Sequence, residues 1–182
     1  MTSTLKVDQI QLADGSTPTA GDLGLNTNGN IVAVYNAIST SQNQTISSNT
    51  LVNITGLSIT MTPKNANNLL VLEAVIQNTK TYVSSYAFLK DGAKTAPATN
   101  GSNIAISNVQ LTSYLGFATN QQGYVDNTPL MHYENVGDTS QRTYTVACAC
   151  RWSNTAYTMR VNSRDSNDMG AYSYFRIMEI AG

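Results

Sequence analysis

The sequence is short of charge. Only 12% of its 182 residues are Asp, Glu, Lys or Arg, about half the usual roughly 25%. The two signs nearly balance, 10 basic against 11 acidic, for a net charge of −1. With no basic stripe, nucleic-acid binding is not expected. One histidine, His132, and two cysteines, Cys148 and Cys150, are too few to build a four-ligand zinc site by themselves. No apolar run approaches the roughly 20 residues that span a bilayer as a helix, so membrane insertion is not expected. The N-terminus, MTSTLKVDQI, lacks the charged-then-apolar pattern of a secretion signal, and export by that route is not expected. There is no phosphate-binding loop, no G-x-S-x-G and no HExxH. Helical periodicity is almost absent as well.

What remains is a chain with 41% hydrophobic residues, enough for a core, and a surface that must be mostly Ser, Thr, Asn and Gln. Such a surface avoids the cost of desolvating charge and suits large protein–protein contacts. Extracellular β domains share this composition. Ten tyrosines stand against three Phe and one Trp. Tyrosine buries its ring while its hydroxyl stays hydrogen-bonded, which suits interfaces and glycan platforms as well as ordinary sandwich positions.

The stretch Leu51–Gln77 organises the rest. Leu57, Ile59 and Met61 alternate with Ser58, Thr60 and Thr62, which predicts a strand with one apolar face. Thr62-Pro63 stops it. Lys64–Asn68 is a polar connection. Leu69–Ile76 is apolar on both faces except at Glu73, the pattern of a strand buried on both sides. Together they read as a hairpin within a two-layer β structure.

Strands are also expected at Ile31–Tyr35, Tyr82–Leu89, Ile104–Val109, Leu111–Phe117, Pro129–Asn135, Arg142–Trp152, around Tyr157–Val161 and at Tyr172–Ile180. Asp91-Gly92 is a tight-turn dipeptide, and Asn120–Gly123 reads as loop. In Arg142–Trp152, Cys148 and Cys150 share one face with Tyr144, Val146 and Trp152. They read as small reduced core residues, because a bond between positions two apart would distort the strand. Ala147 and Ala149 on the opposite face imply close packing, against this chain or another subunit. About eight strands after residue 40 match a jelly roll. The Cys…Trp…Cys spacing of the rival immunoglobulin sandwich is missing. The fold class is therefore all-β, an antiparallel sandwich, in two parts: an extended arm over residues 1–40 and a jelly-roll domain over 41–182. Residues 1–30 have too few apolar positions for a core of their own and are expected to dock elsewhere.

Candidate chemistry is thin. His132 and Glu134 form H-x-E on one strand face, a conceivable proton-transfer pair that reads more simply as a polar surface or interface pair. Asp165, Asn167 and Asp168 could offer oxygens to calcium, but not at EF-hand spacing. No catalytic residue, metal or cofactor is assigned, and an enzyme is not expected.

Several segments carry a family resemblance. STLKVDQIQLADGS at the start resembles the N-terminal segments of tailed-bacteriophage fibre and appendage proteins. TLVNITGLSITMTPKNANNLLVLEAVIQ, followed by YAFLKDG, resembles their C-terminal domain, and YFRIMEIAG resembles its last strand. The resemblance implies a jelly roll of the tumour-necrosis-factor-like kind, assembled as a homotrimer in a virion. Family fibres commonly carry long repetitive shafts, and this chain has none. A short arm with a compact head implies a capsid decoration (cement) protein bound to the major capsid protein. The alternative is a short tail fibre that plugs into a tail or baseplate protein and touches a host surface glycan. On this view Leu5, Val7, Ile10 and Leu12 are the anchoring residues. Tyr144, Ala147, Ala149 and Tyr174 are candidates for trimer packing. Tyr114, Tyr124 and Tyr172 are candidates for ligand-facing loops.

Overall fold

A computed structural model describes residues 11, 13–18, 28–41, 43–80, 84–95, 121–150, 158–163 and 170–182. The anchoring candidates Leu5, Val7, Ile10 and Leu12, the expected strands Ile104–Val109 and Leu111–Phe117, Tyr114 and the Asp165–Asp168 loop lie outside them.

The described residues form ten strands: β1 (Ile31–Ser39), β2 (Gln44–Ile46), β3 (Val52–Met61), β4 (Leu69–Lys80), β5 (Ser84–Lys90), β6 (Ala93–Lys94), β7 (Gln121–Asn135), β8 (Arg142–Cys150), β9 (Met159–Val161) and β10 (Ser173–Ile180). They form two antiparallel sheets. In the first, β1, β10 and β4 run side by side, β7 pairs with the other edge of β4, and β9 and β2 continue beyond the end of β10. The second sheet has the order β3-β8-β5-β6. The pairing is nested. The first strand pairs with the last, β2 with β9, β3 with β8, β4 with β7 and β5 with β6. The described chain is thus one long hairpin folded over on itself, with β5 and β6 at its tip. That tip is the Asp91-Gly92 turn, where both residues have positive φ, 49° and 80°, as a two-residue type I′ hairpin requires.

The sheets pack face to face through alternate residues. Leu57, Ile59 and Met61 from β3, Tyr144, Val146, Cys148 and Cys150 from β8, and Tyr86 and Phe88 from β5 meet Leu70, Leu72, Ala74 and Ile76 from β4 and Phe175 and Ile177 from β10. Phe88 and Phe175 join the layers with ring centres 5.5 Å apart. Both cysteines are buried and unbridged, as their spacing implies.

Three expectations change. Leu51–Gln77 is not a hairpin, because β3 pairs with β8 and β4 with β10 and β7. Its two strands belong to different sheets, and Lys64–Asn68 crosses between them. Ile31–Ser39, assigned by sequence to the arm, pairs with β10 along its length and is an edge strand of the first sheet, so these residues are not part of an arm. Residues 121–123, expected as loop, begin β7.

The crossing at Lys64–Asn68 is held by Glu179 of β10, which is fully buried. One carboxylate oxygen accepts from the Lys64 amide at 2.6 Å and the Asn68 side-chain amide at 2.6 Å. The next crossing, from β7 to β8, is held by Arg142. Its guanidinium donates to the carbonyls of Val136, Asp138 and Ser140 and to the Asp138 carboxylate. The two crossings also bond to each other, Val136 N–H to the Asn68 carbonyl and Gly137 N–H to the Ala66 carbonyl, both at 2.9 Å. A buried carboxyl group, with Oε1 bonded and Oε2 left without a partner, and a buried guanidinium bonded mostly to carbonyls tie one end of the structure together.

Removing either ion orphans buried polar groups. Glu179→Ala and Arg142→Ala are each expected to cost about 2–4 kcal/mol. In urea titrations the midpoint should fall for both variants at an unchanged slope.

Candidate interaction surface

The outward face of the first sheet departs from what solvent favours. An antiparallel sheet with one face in water usually presents polar side chains there. Here the register builds rows of side chains across four strands. Val34, Met178, Val71 and Tyr133 lie in one row. Ile38, Tyr174, Val75 and Pro129 lie in another. Between them runs Asn36, Arg176, Glu73 and Met131. Side chains opposite each other on neighbouring strands are close enough to touch, so each row is a continuous strip.

Much of this face is open. Val34 is 49% exposed, Ile38 57%, Met131 49% and Tyr133 59%. Contiguous exposed apolar surface of this kind marks an interaction site. The pattern of Leu69–Ile76 adds to the case. Its sequence is that of a strand buried on both sides. In the single chain one side meets the core, through Leu70, Leu72, Ala74 and Ile76. On the other, Leu69, Glu73 and Val75 are half-buried and Val71 is buried.

The middle row carries charge. Arg176 donates from Nη2 to Oε2 of Glu73 at 2.5 Å, and the Tyr174 hydroxyl donates to Oε1 at 3.3 Å. Glu73 holds the Arg176 pKa above its ordinary value, while burial and Glu73 raise that of the Tyr174 phenol. Arg176 Nε is buried without a partner in the single chain. The face thus has two apolar strips flanking one ion pair.

The residues chosen from sequence for trimer packing divide. Tyr174 lies on this face. Tyr144, Ala147 and Ala149 are fully buried within one chain, which removes them from contact with a second copy. Tyr144 points into the core between the sheets. Ala147 packs with Ala87 and Leu89, so the close packing implied by small residues is met inside the chain. Of the loop tyrosines, Tyr172 is 66% exposed, and Tyr124 falls within β7 rather than in a loop. Sequence reading missed Val34, Ile38, Glu73, Arg176 and Met178 as surface features. The available signal was apolar character on both faces of β4 and β10.

The H-x-E pair is structural. His132 is buried and stacks on Phe88, ring centres 6.4 Å apart. Glu134 takes the Lys90 ammonium at 2.5 Å and lies 3.9 Å from the Arg142 guanidinium. Cys150 donates its S–H to the Ile46 carbonyl at 3.3 Å, and burial pushes the Cys148 thiol pKa far above its ordinary value. Among the described residues no group of three or more His, Cys, Asp or Glu side chains could hold a metal ion. No protein-family model matches the chain, and no curated protein matches it.

Burial pulls the His132 pKa below its ordinary 6.5, although Glu134 pulls the other way. The folded chain therefore binds this proton less readily than the unfolded chain. Its contribution to stability is complete above the unfolded value and is lost as pH falls through the folded one. Urea midpoints are expected to drop between about pH 7 and about pH 5, and to drop less in His132→Gln.

Proposed function

We propose that this chain is a structural subunit of a tailed-bacteriophage virion, a homotrimeric capsid decoration protein with no catalytic step. The observation that carries the reading is the apolar outer face of the β1-β10-β4-β7 sheet. Its occupant is a second copy of the chain. The face bears one positive and one negative side chain side by side, so around a threefold axis Glu73 of each copy can meet Arg176 of the next, which suits another copy better than a strongly acidic or basic partner. The low overall charge fits a molecule that spends much of its surface in contacts.

The fold supports the same reading. Nested pairing of first with last strand through to the tip, divided over β1-β10-β4-β7 and β3-β8-β5-β6, supports the jelly roll that the resemblance implies. The resemblance of the N-terminal and core segments to phage fibre and appendage proteins gives the biological setting. In this reading the arm, with Leu5, Val7, Ile10 and Leu12, spreads over the major capsid protein. Linking several weak arm contacts through one trimer raises their effective concentration, so the assembly holds the shell more tightly than one arm could.

Native mass spectrometry of the purified chain should give three times the single-chain mass. Val34→Lys and Met131→Glu lie at exposed positions and leave the fold intact. Each should weaken association at least about tenfold, since each removes the burial of one apolar side chain. Monomers in the unmodified protein would overturn the trimer.

Deleting residues 2–12 should release the protein from particles while the isolated trimer still folds; normal occupancy of the truncated chain would reject the anchoring role. Quantitative mass spectrometry of particles settles location. Copy number comparable with the major shell protein is expected. A few tens of copies or fewer would move the chain to the tail, as a short fibre whose exposed Tyr172 meets a surface glycan.

A further inference from the structure

We propose that Glu73 and Arg176 form the register key of the contact between copies, each pairing with its counterpart on the neighbouring chain. The inference rests on the self-association proposed above and goes further by naming what sets its geometry.

Two apolar rows cannot specify an alignment. Rows on one face of a sheet repeat every two residues, about 7 Å. A neighbour displaced by the spacing between Val34–Met178–Val71–Tyr133 and Ile38–Tyr174–Val75–Pro129 would still lay apolar groups on apolar groups. The row between them removes that freedom. Displaced by one row, Arg176 and Glu73 would be pressed against valine, methionine and tyrosine side chains, desolvated and without a new partner, and displaced by two rows they would lose each other as partners. Only alignments that bring polar row to polar row return hydrogen bonds for the water that is lost. The same logic lets one polar residue in a coiled-coil seam choose its register at a cost in stability.

The chain leaves the pair with capacity to spare. A guanidinium has five N–H donors. Arg176 places one nitrogen, Nη2, on Glu73, and its side chain is still 39% exposed, although Nε itself is buried. Glu73 accepts one bond on each oxygen, from Tyr174 and from Arg176, and a carboxylate can accept about four. Donor and acceptor sit side by side on adjacent strands, at the directly opposed pair Arg176 and Glu73. A copy related by rotation presents the same two groups and can take up both.

The test exchanges the charges. Glu73→Arg/Arg176→Glu keeps an ion pair within the chain and between identical copies, so the variant should fold and assemble as a single discrete oligomer. Mixed with the unmodified chain, it would set Arg against Arg and Glu against Glu. Native mass spectrometry of the two chains, one carrying a mass tag, denatured and refolded together, should then show two populations that sort, with mixed oligomers at least tenfold below the statistical level. Statistical mixing would overturn the register key and leave self-association intact. Monomers of the unmodified chain would defeat self-association, and the key with it.

Should the exchanged variant fail to fold, Glu73→Met/Arg176→Met gives an independent reading. It should still associate, but into several oligomer sizes. One size equal to that of the unmodified protein would overturn the proposal.

Discussion

Two buried ions hold the place where this chain changes sheets. Nested pairing requires β3 to pass its partner role to β8 and β4 to cross into the opposite layer, and each crossing exposes backbone amides and carbonyls that no ladder can use. Glu179 accepts from the backbone amides of Lys64 and Asn65 and the side-chain amide of Asn68, and Arg142 covers the carbonyls that follow β7. Because the crossings also bond to each other, they act as one clasp. Loss of either ion leaves buried backbone groups without partners, which costs more than the net value of the bonds themselves.

At the far end of β10 an asparagine does comparable work. Asn162 has positive φ, 61°. Its side-chain amide donates to the carbonyls of Ser39 and Ser41 and to the Ser39 hydroxyl, and its side-chain oxygen accepts from the Ser173 hydroxyl. This joins the ends of β1, β9 and β10. With both ends secured, the strands between them are free to carry apolar residues outward. The outer face of the first sheet follows from that freedom. A face that water disfavours persists because the fold does not depend on it, and it is available for contact between copies.

Strand character and the inner faces were legible in the residues. Leu57, Ile59 and Met61 point inward as alternation predicts. Asp91-Gly92 makes its turn, and the cysteines sit unbridged in the core. The first part of β3 was less legible. Ile54 also points inward, on the other parity, because a bulge at Thr55-Gly56 shifts the register. Gly56 has φ +83°, and a Cβ there would come 3.2 Å from the Ser39 Cα. The Gln44 side chain bonds the displaced backbone at Asn53 and Thr55. No alternation rule contains that long-range partner. Tyr144 was misplaced for a similar reason. Parity gave its face, but only the opposing sheet shows that the face is the core.

The sequence by itself determined that the chain is all-β, which residues share a strand face, and where the tightest turn lies. These are local properties, set by alternation along a strand and by the φ preferences of single residues. Only the tertiary structure decided which strands pair, because pairing joins residues as far apart as Ile31 and Ile180 and depends on closing the nested hairpin. It also decided which face of β4 meets the core and which is left half-open. A strand apolar on both sides carries no internal mark to tell them apart. The difference arises from the one layer that the chain can supply for itself.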